Sequence, residues 1–230
     1  MGWFFKDTKE AVADTGDMYV YLPDLLSKKQ AHLSELSLSR DKIKIKERDC
    51  NQLLKSIRAD LQKAEQNLTL NKRELKTLRT QMVMAEGESN SKMFEGLISE
   101  LEEKSLKSYK ITELYGAIVR NISDKTSDIK GLIDPLQKSI NRMEVEVEEC
   151  QSVLSNTTPK EVEYFKRVNR IERFEELIPI FDKRKEENEK IISVINELLN
   201  FSSDEDEIHN QLDIFKLSDD QEREFKQKYI

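Results

Sequence analysis

The residues able to do acid–base, nucleophilic or metal chemistry are few in this chain. His32 and His209 are its only imidazoles, and Cys50 and Cys150 its only thiols. Their spacing matches no zinc-ligand pattern. The sequence has no glycine-rich phosphate loop, no G-x-S-x-G and no H-E-x-x-H. Carboxylates are abundant, but they alternate with Lys and Arg along helical faces, which is the pattern of solvated or salt-bridged surface. Both cysteines fall on heptad positions. In a hairpin centred near residue 88, helical rise sets them roughly 35 Å apart, which forbids a disulfide. They read as small buried thiols. No active site, metal or cofactor is expected.

The sharpest local signal is aromatic. Trp3, Phe4 and Phe5 stand together near the first residue, followed by Lys6 and Lys9. Such a cluster suits a membrane interface. Asp7, Glu10, Asp14 and Asp17 make the segment net negative, so its binding to lipid would rest on apolar insertion. The alternative is that these aromatics dock on the chain's own helices or on a second copy. A second signal is basic: Lys42, Lys44, Lys46 and Arg48, continuing to Lys55 and Arg58. The net charge of −7 and the lack of a base-reading module argue against nucleic acid. Pairing of a basic helix with acidic neighbours explains the same residues, and they form one candidate assembly face. A third helix carrying Phe165, Val168, Ile171, Phe174, Leu177 and Ile178 offers another, with Phe165, Ile171 and Phe174 at its centre.

These residues need long helices to position them. Hydrophobic residues are 37% of the 230-residue chain and charged residues 36%, with six glycines and four prolines. That balance fits helices that each bury a narrow stripe. A segment over residues 1–21 is expected to form a short helix, closed at Thr15-Gly16-Asp17 by a glycine cap, with an apolar connector at Met18–Tyr21. From Leu22, steps of four and three pick out Leu26, Lys29, Leu33, Leu36, Arg40, Ile43, Glu47, Cys50, Leu54, Ile57, Leu61, Ala64, Leu68, Asn71, Leu75, Leu78 and Met82. This is a heptad seam of about nine heptads, and Pro23 is expected in its first turn. A polar turn at Glu86–Ser91 stops the pattern. It restarts at Phe94 and runs to Leu154, with a phase shift that predicts a kink or break at Pro135.

Matched arms over 22–84 and 92–154 predict an antiparallel coiled-coil hairpin. The first arm is net +6 and the second, from residue 85, net −5. After it, Thr158, Pro159 and Glu161 form the signature of a capped helix start. That helix is expected to run to about Asn200, bent or interrupted at Pro179. An acidic break at Asp204–Glu207 precedes a last amphipathic stretch, with Ser218-Asp219-Asp220 able to start a terminal helix. The predicted class is all-α: a long helical hairpin followed by shorter C-terminal helices over 155–230.

No run of ~18 apolar residues is present, so no transmembrane helix is expected. Two cysteines and no evident secretory signal make a reducing, intracellular compartment the default.

The order of these parts resembles a known superfamily. Met1-Gly2-Trp3-Phe4, the turn at Glu86–Ser91, and a basic first arm with acidic later helices are similar to phage-shock protein A, the vesicle-inducing protein of plastids and the ESCRT-III proteins. The resemblance covers the whole chain in architecture. The negative N-terminal segment departs from it, and Gln211–Ile230 shows no ESCRT-type tail motif. The resemblance implies a non-enzymatic, cytoplasmic, peripheral membrane protein that remodels or protects membranes as a homo-polymer. Its partners would be further copies of itself, an anionic membrane surface and other helical proteins. The competing expectation is a cytosolic coiled-coil scaffold or tether without lipid contact. A subunit of a pore-forming assembly is disfavoured by the polar tip between Met82 and Phe94.

Overall fold

The structure is a computed structural model. It describes the backbone of residues 4–84, 88–156, 158–201 and 205–230. It describes the side chains of residues 16–84, 91–156, 158–201, 207, 208, 210–212 and 214–230. Two long helices, α1 (Phe4–Met84) and α2 (Glu88–Ser155), are followed by α3 (Pro159–Asn169), a 3-10 turn (Phe174–Glu176), α4 (Leu177–Leu199), α5 (Glu205–Ile214) and α6 (Asp219–Tyr229). No strand occurs among the described residues, and α1 and α2 pack against each other as the heptads predict. The chain divides into two compact units. One comprises residues 1–47 with 128–201, the other residues 48–127 with 202–230. In the first, Lys29 meets Glu146 and Glu47 meets Lys130. In the second, Arg58 meets Ser123 and Arg79 meets Glu102. Within each unit, partners descend in α2 as they ascend in α1, which makes the pairing antiparallel.

Most of the seam lies where the spacing puts it, although Leu97 near the start of α2 is exposed. Leu22, Leu36, Ile43, Cys50, Ile57, Leu68 and Leu75 of α1 are buried, as are Ile122, Ile129, Leu136, Ile140 and Met143 of α2. Each helix also buries residues off the seam, such as Leu25, His32 and Ser39 in α1 and Tyr109, Glu146 and Val153 in α2. The extra stripes belong to the faces that the later helices cover. In the first unit Met18, Leu22, Leu25, Met143, Cys150 and Val153 share a core with Val162 and Phe165 of α3, and with Phe174, Leu177 and Phe181 beyond it.

Helix boundaries depart from the sequence reading at the prolines and at Gly16. The helix does not stop at Thr15–Asp17. Gly16 lies inside α1, and Met18, expected in a connector, is fully buried in the core. Pro23 is therefore interior, not in a first turn. A proline there removes one N–H and strands the carbonyl of Tyr19. Pro23 and Tyr19 both face solvent, so water can serve that carbonyl, while Leu22 and Leu25 on the opposite face bury fully. Pro135 is likewise exposed, and α2 runs through it without a break while Leu136 is buried. Glu88–Ser91, expected in the turn, already belong to α2. Gly87 lies outside the described residues.

The third helix is split, but not at Pro179. That proline sits in the first turn of α4, where a missing N–H is no loss because it would have no intrahelical partner. The break comes earlier, at Arg170, whose backbone is left-handed with φ 55° and ψ 44°. Arg170 N–H donates to the Arg167 carbonyl at 3.3 Å and Ile171 N–H to the Lys166 carbonyl at 3.0 Å. These two bonds form a Schellman closure. Ile171 and Phe165, one turn apart across it, both enter the core.

Thr158 is the N-cap of α3 with Pro159 at its start, as expected. The expected capping box is not made, because Thr158 Oγ1 donates to the Glu161 carboxylate at 2.6 Å and caps no backbone N–H. A full capping box occurs instead at α6. Ser218 accepts from Gln221 N–H at 3.3 Å, and Gln221 Oε1 accepts from Ser218 N–H at 2.9 Å.

Candidate functional site

The polar centre of the first unit is built from three helices. Lys29 is on the α1 seam, with its side chain 8% exposed, and its ammonium donates to Glu146 Oε2. Glu146 Oε1 accepts from Arg184 of α4 at 2.6 Å and faces Arg142, one turn earlier on α2, at 3.3 Å. One nearly buried carboxylate thus holds three cations from α1, α2 and α4. One turn after Lys29, the imidazole of His32 is almost fully buried, edge-on to Phe181 with centroids 6.0 Å apart. His32 Nδ1 lies 3.1 Å from Glu35 Oε2, and Nε2 lies 3.2 Å from Asn188 Nδ2. The Asn188 amide and the Glu35 carboxylate thus bracket the two ring nitrogens. Each of Lys29, Glu146, Arg184, His32 and Asn188 has a partner within this cluster, which makes it a clamp between helices.

Cys150 belongs to the same core. Burial pushes its thiol above the ordinary range, against the pull of Lys29. It is therefore held as the unreactive thiol. Among the described residues no group of three or more His, Cys, Asp or Glu is placed to hold a metal ion. His209, the other imidazole, has its side chain outside the described residues.

The sequence-predicted residues are distributed as follows. Trp3 lies outside the described residues. Phe4, Phe5, Lys6 and Lys9 have their backbone in α1 and their side chains outside what is described. Lys42, Lys44 and Arg48 are exposed on α1. Lys46 is half-buried and turned inward, with its ammonium on the Phe201 carbonyl and 5.9 Å from that ring's centre. Phe165, Ile171 and Phe174 do not form an open face. They are 5%, 6% and 1% exposed, and Phe165 stacks on Phe174 with centroids 6.1 Å apart. Their periodicity recorded burial against α1 and α2. The apolar surface that α3 leaves open is Tyr164 and Val168, beside Glu149 and Glu161 on a cleft of about 150 Å³.

The clamp residues Glu146, Arg184 and Asn188 were not singled out by sequence reasoning. Lys29 was the available signal, being a lysine on a leucine seam. In the second unit the counterpart is aromatic: Phe225 and Tyr229 of α6 lie on Tyr109, with centroids 5.3 and 5.8 Å away, beside Leu68 and Leu217. Burial, with the carboxylates of Glu113 and Glu224 nearby, pushes the Tyr109 phenol up to about 12.

No protein-family model, curated protein or solved structure matches this chain. No helix among the described residues is long and apolar enough to cross a membrane.

Proposed function

We propose that the chain is a non-enzymatic, self-assembling hairpin protein that acts peripherally on an anionic membrane from the cytoplasmic side, remodelling or protecting it. The observation that carries this reading is that α1 runs continuously from Phe4 to Met84, so the backbone of Phe4 and Phe5 belongs to the same helix as the leucine seam. Aromatic insertion would then act on the first unit through the helix that also carries its seam. The exposed cations Lys42, Lys44 and Arg48 against a net-acidic α2 and C-terminal region supply charge-complementary faces for lateral packing. The resemblance to phage-shock protein A and ESCRT-III proteins supports the same reading.

Because Phe165, Ile171 and Phe174 are core, assembly through α3 would use Tyr164 and Val168. Co-sedimentation of the full chain with anionic liposomes is the test, read with negative-stain images of the pellet. Binding with rings, filaments or tubes is expected, and loss of binding on deleting residues 1–17. Unchanged binding by that deletion overturns the insertion mechanism.

A second reading, a coiled-coil tether for other helical proteins, is favoured by the same exposed Tyr164–Val168 cleft. Uniform small rods that ignore liposomes would support it.

A further inference from the structure

In the unit of residues 48–127 and 202–230, the last turns of α1 and the end of α6 border an open groove of about 580 Å³. This lies in the size range of small-molecule sites. Leu75, 1% exposed, forms its floor. Val83 and Met84 line one end and are 86% and 77% exposed. One exposed apolar side chain is ordinary. Two adjacent ones opening into a concave, leucine-floored groove are not.

The groove is also cationic. Arg79 is committed internally, bonded to Glu102 at 2.7 Å and to the Ile230 carbonyl. It is a fixed wall. Three lysines remain. The ammonium groups of Lys72 and Lys228 lie 5.8 and 5.4 Å from the centre of the Tyr229 ring. Lys76, one turn after Lys72, has no side-chain ion pair among the described residues. Among the carboxylates around the groove, Glu102 pairs with Arg79, Glu74 lies towards Lys104, and Glu224, one turn before Lys228, lies towards Tyr109. Positive charge at Lys76 and Lys72 is therefore separated from the apolar pair at Val83 and Met84 by about two to three turns of helix, roughly 10–17 Å.

We infer that this groove binds one dissolved anionic amphiphile of the fatty-acid class. Its carboxylate would sit between Lys72, Lys76 and Lys228, and its alkyl chain would run over Leu75 to Val83 and Met84. Methionine, flexible and polarizable, suits an alkyl tail of variable length. The site uses none of the N-terminal aromatics, so it does not depend on the membrane reading.

Methyl NMR on the full chain tests it, because Met84 reports on the groove while Met18 and Met143 report on the separate core of the first unit. Dodecanoate, kept below its micelle concentration, is expected to shift the Met84 methyl saturably and leave Met18 and Met143 in place. Dodecyltrimethylammonium, with the same chain and opposite charge, is expected to leave Met84 unmoved. The double variant K72E/K76E should weaken dodecanoate binding at least about tenfold, equivalent to about 1.4 kcal/mol, with unchanged Met18 and Met143 signals showing that the fold persists. The inference is overturned if the cationic amphiphile shifts Met84 equally, or if K72E/K76E binds dodecanoate as the parent does. It is also overturned if Met84 responds only to protein concentration, meaning a second copy occupies the groove, or only to anionic vesicles, meaning a bilayer does.

Discussion

In the unit of residues 1–47 and 128–201, the later helices are held by a large core that includes Phe165, Phe174 and Phe181. A charged clamp of Lys29, Glu146 and Arg184 lies alongside it. In the unit of residues 48–127 and 202–230, α6 is held by a small aromatic cluster around Tyr109 with Leu68, Leu217 and Phe225. The first arrangement makes errors expensive, because a helix docked out of place would leave Glu146 or Lys29 buried without a partner. The second demands less. Ring faces meet at 5.3–5.9 Å in tilted or stacked poses, an attraction that tolerates small shifts. The Tyr109 hydroxyl itself is buried near the Glu113 carboxylate and has no well-aligned hydrogen-bond partner among the described residues. The two regions therefore differ in how strictly they fix a late helix on the same pair of long ones.

Four measurements would sharpen or break that contrast. Phe174→Ala should have the largest effect. It empties the centre of the first core and should cost about 3–5 kcal/mol, read as a lower denaturation midpoint. If the loss is under about 1 kcal/mol, the core is not what anchors α3 and α4.

Glu146→Ala should follow at about 3 kcal/mol, since it strands Lys29 in a nearly closed site. Glu146→Leu should recover little, because the stranded cation remains. Together with Lys29→Met, however, it should approach parental stability. Failure of that double variant to recover would mean that the clamp does more than satisfy its own charges.

The third measurement is alkaline titration of the second unit. The Tyr109 phenol is raised from its ordinary 10 to about 12 in the folded chain. A raised acid favours the neutral form, so its stabilisation is complete below pH 10 and is lost as pH rises from 10 to 12. Hydrogen exchange at α6 should accelerate in that window, and Tyr109→Phe should abolish the step. At neutral pH the same substitution should be neutral or slightly stabilising, because it removes a buried hydroxyl without a well-aligned partner.

The smallest effect is Ser218→Ala, which removes half of the capping box on α6 and should cost about 1 kcal/mol locally. Hydrogen exchange in the first turn of α6 would detect it. No acceleration there would show that packing of Phe225 alone fixes the helix start.

What could be read from the sequence divides along physical lines. The seams were legible because each is a local, periodic property, and Leu36, Ile43, Ile57, Leu68 and Leu75 all bury where the spacing puts them. Ser218 as a helix start was legible for the same reason. Breakers misled, because Gly16, Pro23 and Pro135 carry local penalties that neighbouring burial outweighs, and the prolines sit on exposed faces where water can take the freed carbonyl. The break that does occur, at Arg170, has no glycine to announce it. An arginine adopts the left-handed backbone there at a cost of about 1–2 kcal/mol, offset by the burial of Ile171 and Phe165. The third-helix face was read correctly as apolar and wrongly as open. Periodicity says that a stripe is buried, not by what. The Glu146 clamp joins residues 38 and 117 positions away, a relation that no local pattern encodes. The N-terminal aromatics lie outside the described side chains, so their role rests on the liposome experiment.

The same long separation has a consequence in time. Lys29 finds Glu146 only after 117 further residues have been made. At a synthesis rate of ~5–20 residues per second, that is roughly 6–23 seconds. In the later half of that interval the leucine seam of α1 is fully made while the partner of Lys29 in α2 does not yet exist. On a polysome carrying several such chains, the nearest complementary stripe belongs to another nascent copy. The order of synthesis thus sets a competition between closing the hairpin within one chain and pairing it between two, before the protein is complete.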